Sequence, residues 1–527
     1  MKTPLTTLDD VRRTCGMSKQ LCGRKLVVAL FMRLIAGGVL IVPVADVQAA
    51  VVFTTLYSFG SIQDTNGNAL DGRAPNALVQ GSDGDFYGTT QEGGTGAYEG
   101  VHGEFGTVFK ITTHGALTTL HSFSALNDGY YPNGLVQGGD GNLYGTTWGG
   151  GSGVEVAWSK YPGAGTVFRI STNGELTTIY SFTGANDGVN PQGGLVQCTD
   201  GEFYGTTYGG GIYPPPNKVS DIFNFGYGTV FKISTNGVLT TLHSFGSVTN
   251  AYGGSVDGSN PQAGLVQSGD GNLYGTTWGG GENGHGTVFK ISTNGVLTGL
   301  YFFTDSNDGA SPCAGLVQGS DGSFYGTTAI GGNNGSANGG YGTVFKISTN
   351  GALTSLYSFT PNNENEGNVP AGGLVQGRDG NLYGTTWGGG TWGNGTVFRI
   401  TTNGAFTTLY CLTGGNDGAN PQAGLILLGN TLYGTTQAGG SNDNGTVFSI
   451  ALPAPQLTII PSGANMILTW PTNYLSFDYT GYTLQSATSL ISPATWNPVS
   501  PSPVVIGGQN VVVSPISGTQ QFYRLSQ

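Results

Sequence analysis

Charge is scarce in this 527-residue chain: Asp, Glu, Lys and Arg make up 9% of it, with 30 acidic residues against 18 basic ones. Seven of the basic and three of the acidic residues lie within positions 1–49, so losing that segment leaves 11 against 27 and a net charge of −16. A chain this acidic repels phosphate backbones, which excludes nucleic acid as a partner. Cysteine is also sparse. Beyond the N-terminal segment only Cys198, Cys313 and Cys411 remain. An odd number at unrelated positions makes no disulfide framework, and no Cys follows the apolar run to accept a lipid. The five histidines (His102, His114, His121, His243, His285) are scattered without metal-ligand spacing, and no nucleophile elbow, zinc signature or phosphate loop occurs. There is a single long apolar run, 26–44. Basic residues (Arg12, Arg13, Lys19, Arg24, Lys25) precede it and the small residues of Val47-Gln48-Ala49 follow, the pattern of a signal peptide cut after Ala49. Arg33 within the run leaves an uncleaved anchor as the alternative, and Met17 is an alternative start.

Glycine, by contrast, is abundant, at 95 residues, beside frequent Thr, Val, Tyr and Phe. That composition suits many short strands joined by tight turns. The aromatic and aliphatic residues recur at fixed positions, which separates the chain from a disordered Gly-rich one. A unit of roughly 57 residues repeats seven times. Its Y-G-T-T element begins at Tyr87, Tyr144, Tyr204, Tyr274, Tyr325, Tyr383 and Tyr433, and its G-T-V-F element at Gly106, Gly165, Gly228, Gly286, Gly342, Gly395 and Gly445. The opening L-T-T-L-Y-S-F-like strand also occurs seven times, first at 53–59 and last at 406–412.

Loop lengths order these strands. Turns such as Ser82-Asp83-Gly84 and Thr172-Asn173-Gly174 each join two β-rich runs as a hairpin, and the Gly-rich loop after Y-G-T-T closes a third. The D-G-x-x-P link has no hairpin character and must cross between units. Each unit is then a four-stranded meander with G-L-V-Q innermost and L-T-T-L-Y-S-F outermost. The expected fold is all-β: a seven-bladed β-propeller over 50–451, closed by the N-terminal strand completing the last blade. A Pro-rich linker at 452–456 leads to a small β-sandwich over 457–527.

The segments G-L-V-Q-G-x-D-G-N-L-Y-G-T-T and G-T-V-F-K-I-S-T-N-G resemble the GloVer tandem-repeat proteins, secreted bacterial proteins of unassigned activity with varied C-terminal anchoring. The resemblance spans about 400 residues and all seven units. It carries no catalytic residue across. A looser similarity to quinoprotein propellers lacks their tryptophan signature and adjacent paired cysteines, so it implies no quinone cofactor. The C-terminal segment looks like a fibronectin-type-III-like appendage.

Function is sought where units depart from one another. The loop between Y-G-T-T and G-T-V-F holds 15, 17, 20, 8, 13, 8 and 8 residues in successive units, and the crossing after Phe245 is extended, so units one to four are elaborated on one face. Five of the seven tryptophans (Trp148, Trp158, Trp278, Trp387, Trp392) lie in these loops, with Tyr98, Tyr208, Tyr213 and Tyr227 near them. Such rings either pack against the next blade or stack on sugar rings. The D-G-x-x-P acids (Asp71, Asp128, Asp187, Asp257, Asp308, Glu366, Asp417) likewise have two readings, as turn caps or as oxygen ligands for Ca²⁺. The expected role is a secreted, monomeric, non-enzymatic binding or adhesion protein that recognises polysaccharide or a cell-surface glycan, without membrane contact after cleavage and without a resident cofactor. Its ligand-contacting residues would be Trp148, Trp158, Tyr208, Tyr213, Trp278, Trp387, Trp392, Asp128, Asp187 and Asp257. One alternative is a polysaccharide hydrolase or lyase using Glu99, His102, Glu104, Glu155, Lys160, Lys218 and Asp221. Another is a purely structural surface module.

Overall fold

The computed structural model describes residues 51–98, 101–102, 104–125, 127–152, 163–213, 226–251, 253–332, 340–360, 365–474, 477–479, 481–490, 494–516 and 521–526. The expected export segment and its cleavage point lie outside them. Every regular element among the described residues is a β-strand.

The third repeat shows the unit. Val196–Gln197, Phe203–Thr207, Thr229–Ile233 and Leu239–Ser244 form one antiparallel sheet in chain order, from G-L-V-Q to the L-T-T-L strand. Seven sheets of this kind follow the repeats. In the seventh, Ile426–Leu428, Thr431–Thr436 and Thr446–Ala451 are completed by Val52–Ser58 from the chain's beginning, with Phe53 opposite Ile450 and Ser58 opposite Thr446. The first two repeats have more elaborate inner strands. Tyr130–Gln137 runs through eight residues, and the first sheet adds Arg73–Pro75 beside Val79–Gln80.

The third strand of a sheet is covered on both faces, which is why T-V-F-K-I is apolar at successive positions rather than alternating. In Thr229–Ile233 every residue but Lys232 is buried. Phe182, closing one outer strand, meets Phe231 of the next sheet edge-on at 5.3 Å. The same contact recurs between Phe123 and Phe168, Phe245 and Phe289, and Phe303 and Phe345. It occurs again between Phe59 and Phe109, from the seventh sheet to the first. Each buried ring contributes about 1.5–3 kcal/mol by area, plus roughly 0.5–1.5 kcal/mol for the aromatic pairing. Buried hydroxyls are satisfied in pairs: Thr207 Oγ1 lies 2.9 Å from Thr229 Oγ1 and accepts the Thr229 amide at 3.1 Å.

In every repeat but the fifth, where Thr327 Oγ1 is buried without a partner, the first Thr of Y-G-T-T ties its sheet to the next. Thr89 Oγ1 donates to Asn133 O (2.8 Å), Thr206 to Ala263 O (3.0 Å) and Thr385 to Ala423 O (3.2 Å). Thr435 of the last repeat donates to Asn76 O of the first at 3.0 Å.

Beyond Ala451, strands Thr458–Ser462, Asn465–Pro471, Gln509–Pro515 and Val504–Ile506 make one sheet, and Asn497–Pro498, Thr483–Ala487 and Phe522–Ser526 another. Leu468, Trp470, Leu484 and Val512 fill the core between them. This segment rests on the last repeats where the seventh departs from the pattern. The seventh repeat's turn is one residue shorter and carries no Asp, and within it Asn430 Nδ2 donates to Tyr482 Oη at 2.6 Å.

Candidate functional site

The inner strands meet at a collar of small residues. A Cβ added at Gly193 would lie 2.5 Å from Ala263 O, at Gly264 2.8 Å from Gly194 O, and at Gly372 2.6 Å from Ala423 O. Only glycine allows the strands of successive repeats to approach so closely. Above the collar the residue preceding each inner-strand proline adopts a left-handed backbone: Ala74, Tyr131, Asn190, Asn260, Ser311, Val369 and Asn420 have φ of 52–56°. This conformation costs a non-glycine residue about 1–2 kcal/mol. Backbone hydrogen bonds to the flanking strands hold it in place: the Asn190 amide donates to Ala164 O of the preceding repeat, and Asn190 O accepts from Tyr208 N.

The rim above the collar encloses a cavity of about 770 Å³. The residue after each proline (Asn76, Asn133, Gln192, Gln262, Cys313, Ala371, Gln422) contributes to its lining, so all seven repeats meet in it. The residue after Y-G-T-T reaches it at Gln91, Trp148 and Gln437. Among the described residues no Lys or Arg lines it. Its one carboxylate, Glu92, is ion-paired with Arg73. Burial pushes the Cys313 thiol up to about 11, which keeps it protonated and inert at neutral pH.

The residues that compose this rim and collar are those of a known repeat. The model of the Gloeobacter/Verrucomicrobia repeat matches residues 46–256, 163–375 and 220–448, three overlapping stretches that together cover most of the chain. The chain belongs to the Gloeobacter/Verrucomicrobia repeat family. No curated protein matches it. Among solved structures it is similar to the extracellular domain of a candidate one-component system from B. thetaiotaomicron, at 11% identity and a TM-score of 0.45, covering 91% of this chain and 56% of that one. This chain thus spans little more than half of that relative's length. It is also similar to a gluconolactonase from Xanthomonas campestris, at 14% identity and a TM-score of 0.35, covering 64% of this chain and 86% of that one.

Within the Gloeobacter/Verrucomicrobia repeats, the aromatic position after Y-G-T-T sits at a junction. Trp148 O accepts from Asn190 Nδ2 at 2.8 Å, Tyr208 O from Asn260 at 3.0 Å and Trp387 O from Asn420 at 3.0 Å. The backbone is fixed while the ring projects. Trp148 packs on Tyr130 and Tyr131 and is half-buried. Trp278 and Trp387 are each 41% exposed, and Trp392 in the sixth loop is 55% exposed. Tyr208 is half-buried and Tyr213 exposed. Trp158 falls outside the described residues, as do Glu99, Glu155, Lys160, Lys218 and Asp221. Tyr98 and His102 are described in backbone only.

The loop acids face their own turns rather than the cavity. Asp187 accepts from Tyr180 Oη (3.0 Å) and from the amide and hydroxyl of Thr183 (2.7 and 2.5 Å). Asp128 is held by His121 Nε2 and by Ser124, and Asp257 by His243 Nε2, Ser247, Ser255 and the Gly246 amide. Burial would raise the Asp257 carboxyl, yet these bonds outweigh it and hold the group at about 2. None of these acids lines the cavity, and among the described residues no cluster of His, Cys, Asp or Glu is placed to hold a metal ion. The oxygens of Asp128, Asp187 and Asp257 are committed within their loops, as the turn-cap reading expects.

The sequence does not show two further pairings. Each Asp of the S-D-G turn except in the seventh repeat accepts from the tyrosine four residues on, as Asp200 does from Tyr204 Oη at 2.7 Å. Lys110 and Lys346 on the third strand are ion-paired: Lys110 bridges Asp83 and Asp85 at 2.8 and 3.0 Å, and Lys346 pairs with Asp321 at 2.7 Å.

Proposed function

We propose that the chain is an exported, non-enzymatic carbohydrate-binding protein, whose seven sheets are the blades of a propeller closed by Val52–Ser58. The apolar run 26–44 and the small residues before Ala50 support export, and among the described residues no helix is long and apolar enough to cross a membrane. Closure is supported by the Thr435–Asn76 bond and the Phe59–Phe109 contact. The C-terminal sheets fit a small, fibronectin-type-III-like sandwich that acts as an appendage.

One observation carries the binding role: Trp278 and Trp387 leave two-fifths of their surface open at the repeat position where Trp148 lines the cavity. The two open rings present apolar faces at equivalent positions of two repeats. Their flat faces suit the C–H faces of sugars, and Trp392 and Tyr213 extend the aromatic surface outward. Weak contacts repeated around the rim gain strength together on a polymer. Retention of the mature protein, residues 50–527, on insoluble polysaccharides tests this reading. Binding to at least one neutral polymer, with or without Ca²⁺, is expected; passage through all of them without delay would contradict it.

A further inference from the structure

The exposed tryptophans account for a surface, but not for the cavity between the inner strands. Its lining mixes carboxamides with apolar residues, and the single charge among its described residues, Glu92, is paired with Arg73. Where the residue after the proline is Asn, the short carboxamide is captured by the next repeat: Asn76 Nδ2 donates to Pro132 O at 2.7 Å, and Asn133 Nδ2 to Pro191 O at 2.6 Å. Where it is Gln, one methylene longer, that bond is not made. The carboxamides of Gln192 and Gln262 line the cavity and have no hydrogen-bond partner among the described residues. They come from consecutive repeats, next to the repeat whose Trp148 and Tyr131 also line the cavity. Facing the cavity, these carboxamides present donors and an acceptor to any ligand that enters it.

We infer that the axial cavity is a distinct subsite for a short stretch of neutral saccharide, with Gln192 and Gln262 reading ring hydroxyls and Trp148 covering an apolar sugar face. Each carboxamide offers two donors and an acceptor oxygen, which matches hydroxyl groups that both donate and accept. The cavity volume lies within the roughly 300–1,000 Å³ of small-ligand sites. Sugar acids and phosphates are disfavoured, because no Lys or Arg among the described residues lines the cavity, Arg73 is engaged with Glu92, and the chain carries a net charge of −12. The inference rests on the carbohydrate-binding reading but assigns a separate task to a separate set of residues.

The test is calorimetric titration of residues 50–527 with cello-, xylo-, malto- and chitopentaose, and with trigalacturonate as the anionic probe. At least one neutral pentasaccharide should bind, and trigalacturonate at least tenfold more weakly. The double variant Gln192→Asn/Gln262→Asn installs residues that repeats one and two already carry, so it is compatible with the fold. It should lose at least tenfold in pentasaccharide affinity while retention on insoluble polymer changes less than twofold, and Trp278→Ala/Trp387→Ala should show the opposite pattern. Unchanged pentasaccharide affinity in the Gln variant, equal binding of trigalacturonate, or no binding by any pentasaccharide would overturn the subsite. Retention on polymer in those same cases would leave the surface-binding reading standing.

Discussion

The hydroxyl of Thr435 donates to the backbone carbonyl of Asn76 at 3.0 Å across 359 positions of chain. The same kind of hydrogen bond joins consecutive repeats elsewhere, as from Thr206 to Ala263. Deleting residues 50–58 should therefore act far from the N-terminus. It would leave Thr446–Ala451 as an open edge and uncover Phe448, on which Phe53 stacks at 5.1 Å. The expected result is a lower melting temperature with concentration-dependent aggregation, read by light scattering during thermal unfolding. The milder Thr435→Val should cost about 1 kcal/mol in a urea titration.

The glycine collar makes a second, local prediction. At Gly264 a Cβ would sit 2.8 Å from Gly194 O, a backbone atom that cannot swing aside. Gly264→Ala should destabilise the protein by about 1–3 kcal/mol. At Gly139, where the nearest atom to an added Cβ is 3.8 Å away, the same change should be neutral within about 0.5 kcal/mol. Paired chemical denaturation curves check both.

Acid stability follows from Asp257. Its carboxyl is held at about 2, below the ordinary 3.8, so its contribution is fully present above 3.8 and is lost as pH falls through about 2. Asp257→Asn should cost about 1 kcal/mol at pH 6 after allowance for solvent screening, and the gap from the parent should close toward pH 2. His243→Tyr should be tolerated within about 0.5 kcal/mol, because Tyr180 makes the equivalent bond to Asp187 at 3.0 Å. Urea midpoints from pH 6 to pH 2 provide the comparison.

The strand order was legible because the turns are written locally: Ser-Asp-Gly and Thr-Asn-Gly fix which runs pair, and Y-G-T-T and G-T-V-F count the sheets. The partners of the loop acids were less so. That His121 and His243 stand in place of the outer-strand tyrosine was visible, but that this position hydrogen-bonds the D-G-x-x-P acid depends on how the crossing loop folds back. The carboxamides at Gln192 and Gln262 were also in view, one residue after each proline. Nothing local distinguishes a captured Asn133 from an unpaired Gln192. That difference of one methylene acquires meaning only when the next repeat's proline carbonyl is in place.

The carbohydrate-binding reading is tested most directly by Trp278→Ala/Trp387→Ala/Trp392→Ala in a depletion isotherm on the polysaccharide that retains the parent protein. These rings are 41%, 41% and 55% exposed, so the triple variant should melt within a few degrees of the parent. With about 1 kcal/mol lost per ring, binding should fall at least 30-fold. A folded triple variant that binds the polymer as tightly as the parent would contradict the reading.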